Sequence, residues 1–226
     1  MRKPKRLPPE ELAPYQWTPP GDAGFRLWGT GTEQTVIEPI DWTTLFGNAN
    51  PVEVEVGFGK GMFLVTSGIT RPETNFFGIE IIRKYELMAT TRIAKRKLAN
   101  VRTTCADAKA VFERHIVPAS VAAVHIYFPD PWWKEKHRKR LLMTIEFCML
   151  IRTVLKPGGL LHFATDVPDY FAWVQETLAS IASLEYLGAP KEAEPEPTHD
   201  MDYLTNFERR FRKLGKPIHR ADYAAV

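Results

Sequence analysis

Five acidic residues, Glu55, Glu80, Asp107, Asp130 and Asp166, each fall at or just past the end of a successive apolar run that reads as a strand. If those strands lie parallel, all five carboxylates face one rim. An acid at such a position also suits a helix N-cap, where it accepts from backbone N–H groups. Five in succession exceed what turn chemistry usually produces. Asp130 is the stiffest of them, standing between Pro129 and Pro131 after the run Val121 to Tyr127. Proline fixes φ, removes an N–H and pushes the preceding residue towards extended geometry, so the strand must end in a rigid elbow. Trp132 and Trp133 follow, then five Lys/Arg residues among the seven positions 134–140, with Glu135. A stiff carboxylate, flat rings and dense positive charge suit a nucleobase on a phosphate backbone. A solvated basic helix start is the plainer alternative.

Gly57, Gly59 and Gly61 follow the first strand, Val52 to Val56. Glycines there allow a tight turn and a close approach of backbone to ligand. The dinucleotide fingerprint needs a glycine where Met62 stands, so the loop lacks a full pyrophosphate cradle. Glu80 ends the second strand, where an acid holds ribose hydroxyls. An adenosine ligand without phosphates fits this pattern better than NAD, and S-adenosylmethionine is such a ligand. Asp107 after the third strand then faces the adenine amine.

These residues need a scaffold that brings strand ends together. From residue 52 the sequence alternates: strands at 52–56, 75–79, 101–105, 121–127 and 160–164, with helices between them. The helix from about Arg83 to Leu98 carries Leu87, Ala94 and Leu98 at helical spacing. The helix at 141–155 is closed by the turn Lys156-Pro157-Gly158-Gly159, and a further helix runs from about Tyr170 to Ala182. A helix is expected over Phe207–Leu214 and a last strand over Ile218–Tyr223. The repetition predicts an α/β fold, a mostly parallel central sheet with helices on both faces, whose ligands sit at the carboxyl ends of the strands. Residues 1–50 read as a basic, aromatic arm that packs partly on the body, residues 51–226 as the main domain, and 189–202 as an acidic, Pro-rich loop.

The formal net charge is only +3, yet the basic residues cluster in three places: the first six residues, 134–140 and 209–220. That distribution points to a polyanionic partner. Cys105 and Cys148 show no metal spacing or disulfide framework, and a reduced, cytoplasmic setting is expected. No run approaches the ~18 apolar residues of a membrane span, and no apolar segment follows the basic start as in a secretory signal. No metal and no membrane partner are expected. Monomer and homodimer both stay open.

Taken together, Glu55-Val56-Gly57-Phe58-Gly59-Lys60-Gly61, Gly78-Ile79-Glu80, Phe128-Pro129-Asp130-Pro131-Trp132 with Lys134, His137 and Lys139-Arg140, Thr165-Asp166, and Thr205-Asn206-Phe207-Glu208 resemble the bacterial tRNA (guanine-N7-)-methyltransferases. The likeness covers roughly residues 52–223. It departs at Trp133 and Leu141 and is loose over Gly24–Thr32. It implies a Rossmann-like class I methyltransferase fold, S-adenosylmethionine as donor and tRNA as substrate, methylated in its variable loop. It also implies cofactor contacts from Glu55, Gly57, Glu80, Asp107 and Asp130, with Asp130 as the catalytic residue. Lys134, Asp166, Thr205, Asn206, Phe207 and Glu208 would contact the guanine nucleotide. Lys136, His137, Arg138, Lys139 and Arg140 would touch RNA.

The chemistry is consistent with such a site. Guanine N7 carries a lone pair and no proton, so its attack needs no general base. Orientation and charge stabilisation then suffice. Asp130 would stabilise the charge arriving on the ring. Asp166 and Glu208 would grip donors on its N1/N2 edge, and Lys134 would balance the carboxylates. Trp132 or Trp133 would stack on the base or pack in the core. Other readings are a class I methyltransferase for another nucleic-acid position or a protein, a non-catalytic RNA-binding module, and, more distantly, an NAD oxidoreductase.

Overall fold

The alternation expected from residue 52 onward runs through the structure, a computed structural model that describes residues 7–19, 38–132, 141–190 and 205–226. The chain divides into two compact units, Met1–Val117 and Pro118–Val226.

The first unit holds helices α1 (Pro9–Leu12) and α2 (Trp42–Phe46), then β1 (Val52–Val56), α3 (Met62–Thr70), β2 (Asn75–Glu80), α4 (Arg83–Lys95), β3 (Val101–Cys105) and α5 (Ala108–Arg114). Its strands lie parallel in the order β3-β2-β1. Every residue of β2 is buried, which explains its unbroken apolar run Phe76-Phe77 and Ile79. In α3, Met62, Phe63, Leu64 and Val65 are all buried, so that helix is apolar on every side of its first turn. Full burial of one such side chain contributes about 1.5–3 kcal/mol.

Helix α4 differs from expectation in length and in facing. It ends at Lys95, and Lys97 then takes the left-handed conformation at φ 54°. Its buried residues are Glu86, Ala89, Thr90, Thr91, Arg92, Ile93 and, as expected, Ala94, while Leu87 and Leu98 are only half-buried. Hydrophobicity alone misplaces the buried face because a carboxylate sits on it. Glu86 Oε1 accepts from Gln16 Nε2, from Thr90 Oγ1 at 2.9 Å and from Thr103 Oγ1 at 3.2 Å. Arg83 lies 3.0 Å from Oε2, an ion pair without hydrogen-bond alignment. This network ties the N-terminal segment to the sheet edge, where Trp17 N–H donates to Thr103 C=O at 2.8 Å. Trp17 and Trp42 pack edge-on against Phe77, at 5.8 and 5.3 Å between ring centroids. Glu86→Ala would remove the buried acceptor that Gln16, Thr90 and Thr103 share, leaving the two threonines to each other and to backbone carbonyls. We expect it to destabilise the protein by about 3 kcal/mol, read as a lower denaturant midpoint at unchanged slope.

The second unit holds β4 (Val121–Tyr127), α6 (Ile145–Val154), β5 (Leu155–Thr165), α7 (Pro168–Ala179), β6 (Leu184–Gly188), α8 (Asn206–Lys213) and β7 (His219–Ala225). The order is β4-β5-β7-β6, with β4 and β5 parallel and β7 antiparallel to both its neighbours. The segment Lys156–Gly159 is a bulge inside β5 instead of a turn ahead of it. Val121 pairs with Leu155 and Ala123 with Leu160, so the extra residues loop out, with Gly158 at φ 73°. Strand β6 was not expected from the sequence. Among the described residues, no helix is long and apolar enough to cross a membrane.

Candidate active site

In the first unit, the carboxylates at the ends of β1 and β2 are neighbours. Glu55 is 4% exposed, and its Oε2 is buried with no hydrogen-bond partner. Burial, and then the charge of Glu80, push the Glu55 carboxyl well above its usual value of 4.5. Glu80 is differently placed. Its Oε2 accepts from Gly59 N–H at 2.8 Å and its Oε1 from Ile82 N–H at 2.9 Å. One side chain therefore fastens the glycine loop to the approach of α4.

The loop itself demands glycine. Gly57, Gly59 and Gly61 all have positive φ, and a Cβ on Gly61 would stand 2.5 Å from Ala89 Cβ. Gly57 N–H donates to Ile79 C=O at 2.8 Å, closing the turn onto β2. Buried Arg92 donates to Lys60 C=O and holds the loop from the α4 side. Neither the Arg92 anchor nor the Glu86 network was anticipated; an isolated charge within a helix carries no motif. Ile81 and Ile82, 42% and 48% exposed, follow Glu80 directly and present an apolar ledge beside it.

Asp107 caps α5, its Oδ1 accepting from Lys109 N–H at 2.8 Å. The structure thus gives it the capping role and leaves it at the end of β3, next to the rim. Cys105 is half-buried, and burial pushes its thiol up to about 11, so it is not poised as a thiolate nucleophile. Cys148 is buried.

In the second unit, β4 ends where Phe128 N–H donates to Ala164 C=O at 2.7 Å. Phe128 and Trp132, at φ 53° and φ 39°, bracket Pro129-Asp130-Pro131, and Asp130 is exposed. Behind the elbow, Tyr170 is wholly buried. Burial first, with Cys148 and Asp130 adding, pushes its phenol above the usual range, while the nearby Met143 backbone opposes the shift. Asp166 is half-buried at the end of β5, just after Thr165, whose Oγ1 accepts from Val167 N–H at 3.3 Å. Asp130 and Asp166 thus leave the same end of two paired parallel strands.

Thr205-Asn206-Phe207-Glu208 opens α8. Thr205 is its N-cap, with Oγ1 accepting from Glu208 N–H at 3.0 Å, the first half of a capping box. Glu208 is 1% exposed, and its Oε1 is shared by Arg212 Nε at 2.9 Å and Arg220 at 3.0 Å. Asn206 is half-buried, and Phe207 is 51% exposed. Rings of Phe207 and Phe211 lie 6.0 and 5.6 Å from that of Phe128, so α8 packs directly on the elbow. Lys134, Lys136, His137, Arg138, Lys139 and Arg140 lie outside the described residues, as do Trp133 and most of the acidic loop.

The orphaned Glu55 oxygen sets a stability test. Between the ordinary carboxylate value and its raised native value, the folded chain keeps a proton that the unfolded chain has lost. Stability therefore falls as pH rises through that window. Glu55→Gln should flatten the profile and stabilise the cofactor-free protein above pH 4.5, as read by denaturant titrations across pH. An unchanged profile would mean that the carboxyl is not held neutral.

The order and direction of these strands and helices are shared with solved methyltransferases. The 16S rRNA methyltransferase KamB superposes with a TM-score of 0.60 over 83% of this chain and 94% of that one, at 17% identity. The fold is accordingly that of the Rossmann-like class I methyltransferases. A family model described as "Putative methyltransferase" matches residues 49–221. The tRNA (guanine-N(7)-)-methyltransferase of Rhodopirellula baltica is 46% identical over 198 residues, covering 85% of this chain and 72% of that protein. That of Aliivibrio fischeri is 38% identical over 183 residues, covering 81% and 76%. The chain belongs to the tRNA (guanine-N(7)-)-methyltransferase family.

Proposed function

We propose that this protein transfers a methyl group from S-adenosylmethionine to N7 of a guanine in the variable loop of tRNA. The observation that carries the cofactor assignment is Glu55. A buried carboxylate oxygen without a partner, next to a second acid that pins a glycine loop, is an acceptor site awaiting a donor, ideally a cationic one. S-adenosylmethionine supplies a methyl group on a positively charged sulfur, together with an ammonium and a ribose. Glu55 would receive the cationic part. Glu80, bound to backbone N–H groups through both its oxygens, would direct remaining lone pairs to ribose hydroxyls. Gly57 would allow close approach of the loop, the Ile81–Ile82 ledge would receive a flat ring, and Asp107 would meet its amine.

On the acceptor side, Asp130 stands exposed on a proline-braced elbow. It would stabilise positive charge developing on the guanine ring; no residue need remove a proton, because N7 has none to lose. Asp166, Thr205, Asn206, Phe207 and Glu208 would contact the guanine nucleotide, with Lys134. The double ion pair on Glu208 suggests that it contributes chiefly by fixing α8. Lys136, His137, Arg138, Lys139 and Arg140 would meet the RNA backbone. The family model begins at residue 49, which supports reading residues 1–50 as an appended arm.

Incubation with labelled donor and unmodified tRNA, followed by mapping of the label, tests the assignment. Label on guanine N7 in the variable loop is expected. Label on an amino group, a ring carbon or another nucleotide would overturn it.

A further inference from the structure

Phe128 is one of two bulky residues held at positive φ around the elbow, and the structure shows what holds it. At φ 53° a bulky side chain sits in the left-handed region that favours glycine, which costs free energy unless its surroundings over-determine it. Two contacts do so. Its N–H is the last rung between β4 and β5, bonded to Ala164 C=O at 2.7 Å. Its ring packs against Phe211 at 5.6 Å and against Phe207 at 6.0 Å, both on α8. Phe211 is 8% exposed, and α8 is tied to β7 through the Glu208–Arg220 ion pair at 3.0 Å. The strain lies two residues before Asp130, and Pro129 passes it on with little freedom. The elbow that carries Asp130 is therefore held in place by the helix that begins with Thr205–Glu208.

We propose that Phe128 is a positioning residue: its contact with Phe207 and Phe211 makes the Asp130 elbow and helix α8 one mechanical unit, so that Asp130 takes its working position only while α8 is docked. This rests on the assignment of Asp130 and α8 to the acceptor site. It explains why a phenylalanine is used where glycine would relieve the backbone. Glycine would accept φ 53° but would not report the position of α8.

The test is steady-state and single-turnover methylation of unmodified tRNA by Phe128→Gly, Phe211→Leu, their double variant and Phe128→Tyr, with cofactor affinity measured by calorimetry. Phe128→Gly should lower kcat by about 10²-fold, the scale of an ångström-level misplacement. Its Kd for S-adenosylmethionine should stay within about twofold, because Glu55 and Glu80 are untouched. Phe211→Leu should show the same split between kcat and cofactor affinity. The double variant should be little worse than Phe128→Gly, because both changes cut one connection. Phe128→Tyr keeps the ring and should recover most of the lost turnover. The proposal is overturned if Phe128→Gly keeps wild-type kcat, if the two losses multiply, or if kcat falls only in step with cofactor affinity or folded fraction. Should Phe128→Gly not fold, Phe211→Leu alone decides on the same readouts. Failure of the wild-type protein to methylate guanine N7 would reject the functional assignment instead, and is seen in the same assay.

Discussion

Asp130→Asn is expected to lower turnover on unmodified tRNA by about 10²–10³-fold, the usual cost of removing one preorganised electrostatic partner of a transition state. The change is nearly isosteric and leaves Pro129 and Pro131 in place, so the elbow should keep its shape. What disappears is the negative charge. In methyl transfer to N7, positive charge leaves the sulfur and arrives on the guanine ring. A fixed carboxylate at the arrival point is worth more in the transition state than in the bound ground state, and only that difference raises kcat. The expected signature is a fall in single-turnover rate with Kd values for cofactor and tRNA within a few-fold of wild type. An equal rise in cofactor Kd would assign Asp130 to donor binding alone. Near-normal turnover would remove it from the chemistry.

The acids at strand ends were legible before any coordinates because a parallel sheet puts successive strand ends at one rim, and that is a property of the alternation itself. Glu55, Glu80, Asp130 and Asp166 stand where this reasoning put them within their units. Asp107 shows its limit: the same position that serves a rim also serves a helix cap, and here the side chain binds Lys109 N–H. Thr205–Glu208 carried a second meaning too, since Thr-x-x-Glu is also a capping signature, and Thr205 does cap α8. Strand β6 escaped because it lies at a sheet edge with Glu185, Tyr186 and Leu187 exposed, so burial imposes no alternation on it. The bulge at Lys156–Gly159 escaped because Pro-Gly-Gly reads as a stop, whereas a neighbouring strand can simply bridge it. Glu86 was invisible for a different reason. A buried acid in a helix is indistinguishable in sequence from a solvated one until its partners, Gln16 and Thr103, are brought in from distant positions.

The distinction between the two acids of the first unit leads to the second large effect. Glu80→Ala should weaken S-adenosylmethionine binding by about 10²-fold or more, through two separable losses. Two backbone N–H groups, of Gly59 and Ile82, lose a charged acceptor, and hydrogen bonds to charged groups contribute about 1.5–3 kcal/mol each. The glycine loop then keeps the Arg92 anchor at Lys60 but loses the one at Gly59, and the cofactor must order it on binding. The ribose hydroxyls lose their acceptor as well. Glu80→Gln separates these losses: its amide oxygen can still accept from one of the two N–H groups, so its binding defect should be smaller than that of alanine. Glu80 also raises the carboxyl of Glu55, so either change should bring that carboxyl down towards its ordinary range and narrow the pH window in which the cofactor-free protein loses stability. Calorimetric titration of both variants with S-adenosylmethionine, paired with denaturant melts at several pH values, tests binding and linkage together. A variant that binds cofactor normally would show that the loop is held by Arg92 and the backbone alone, and that Glu80 serves only the fold.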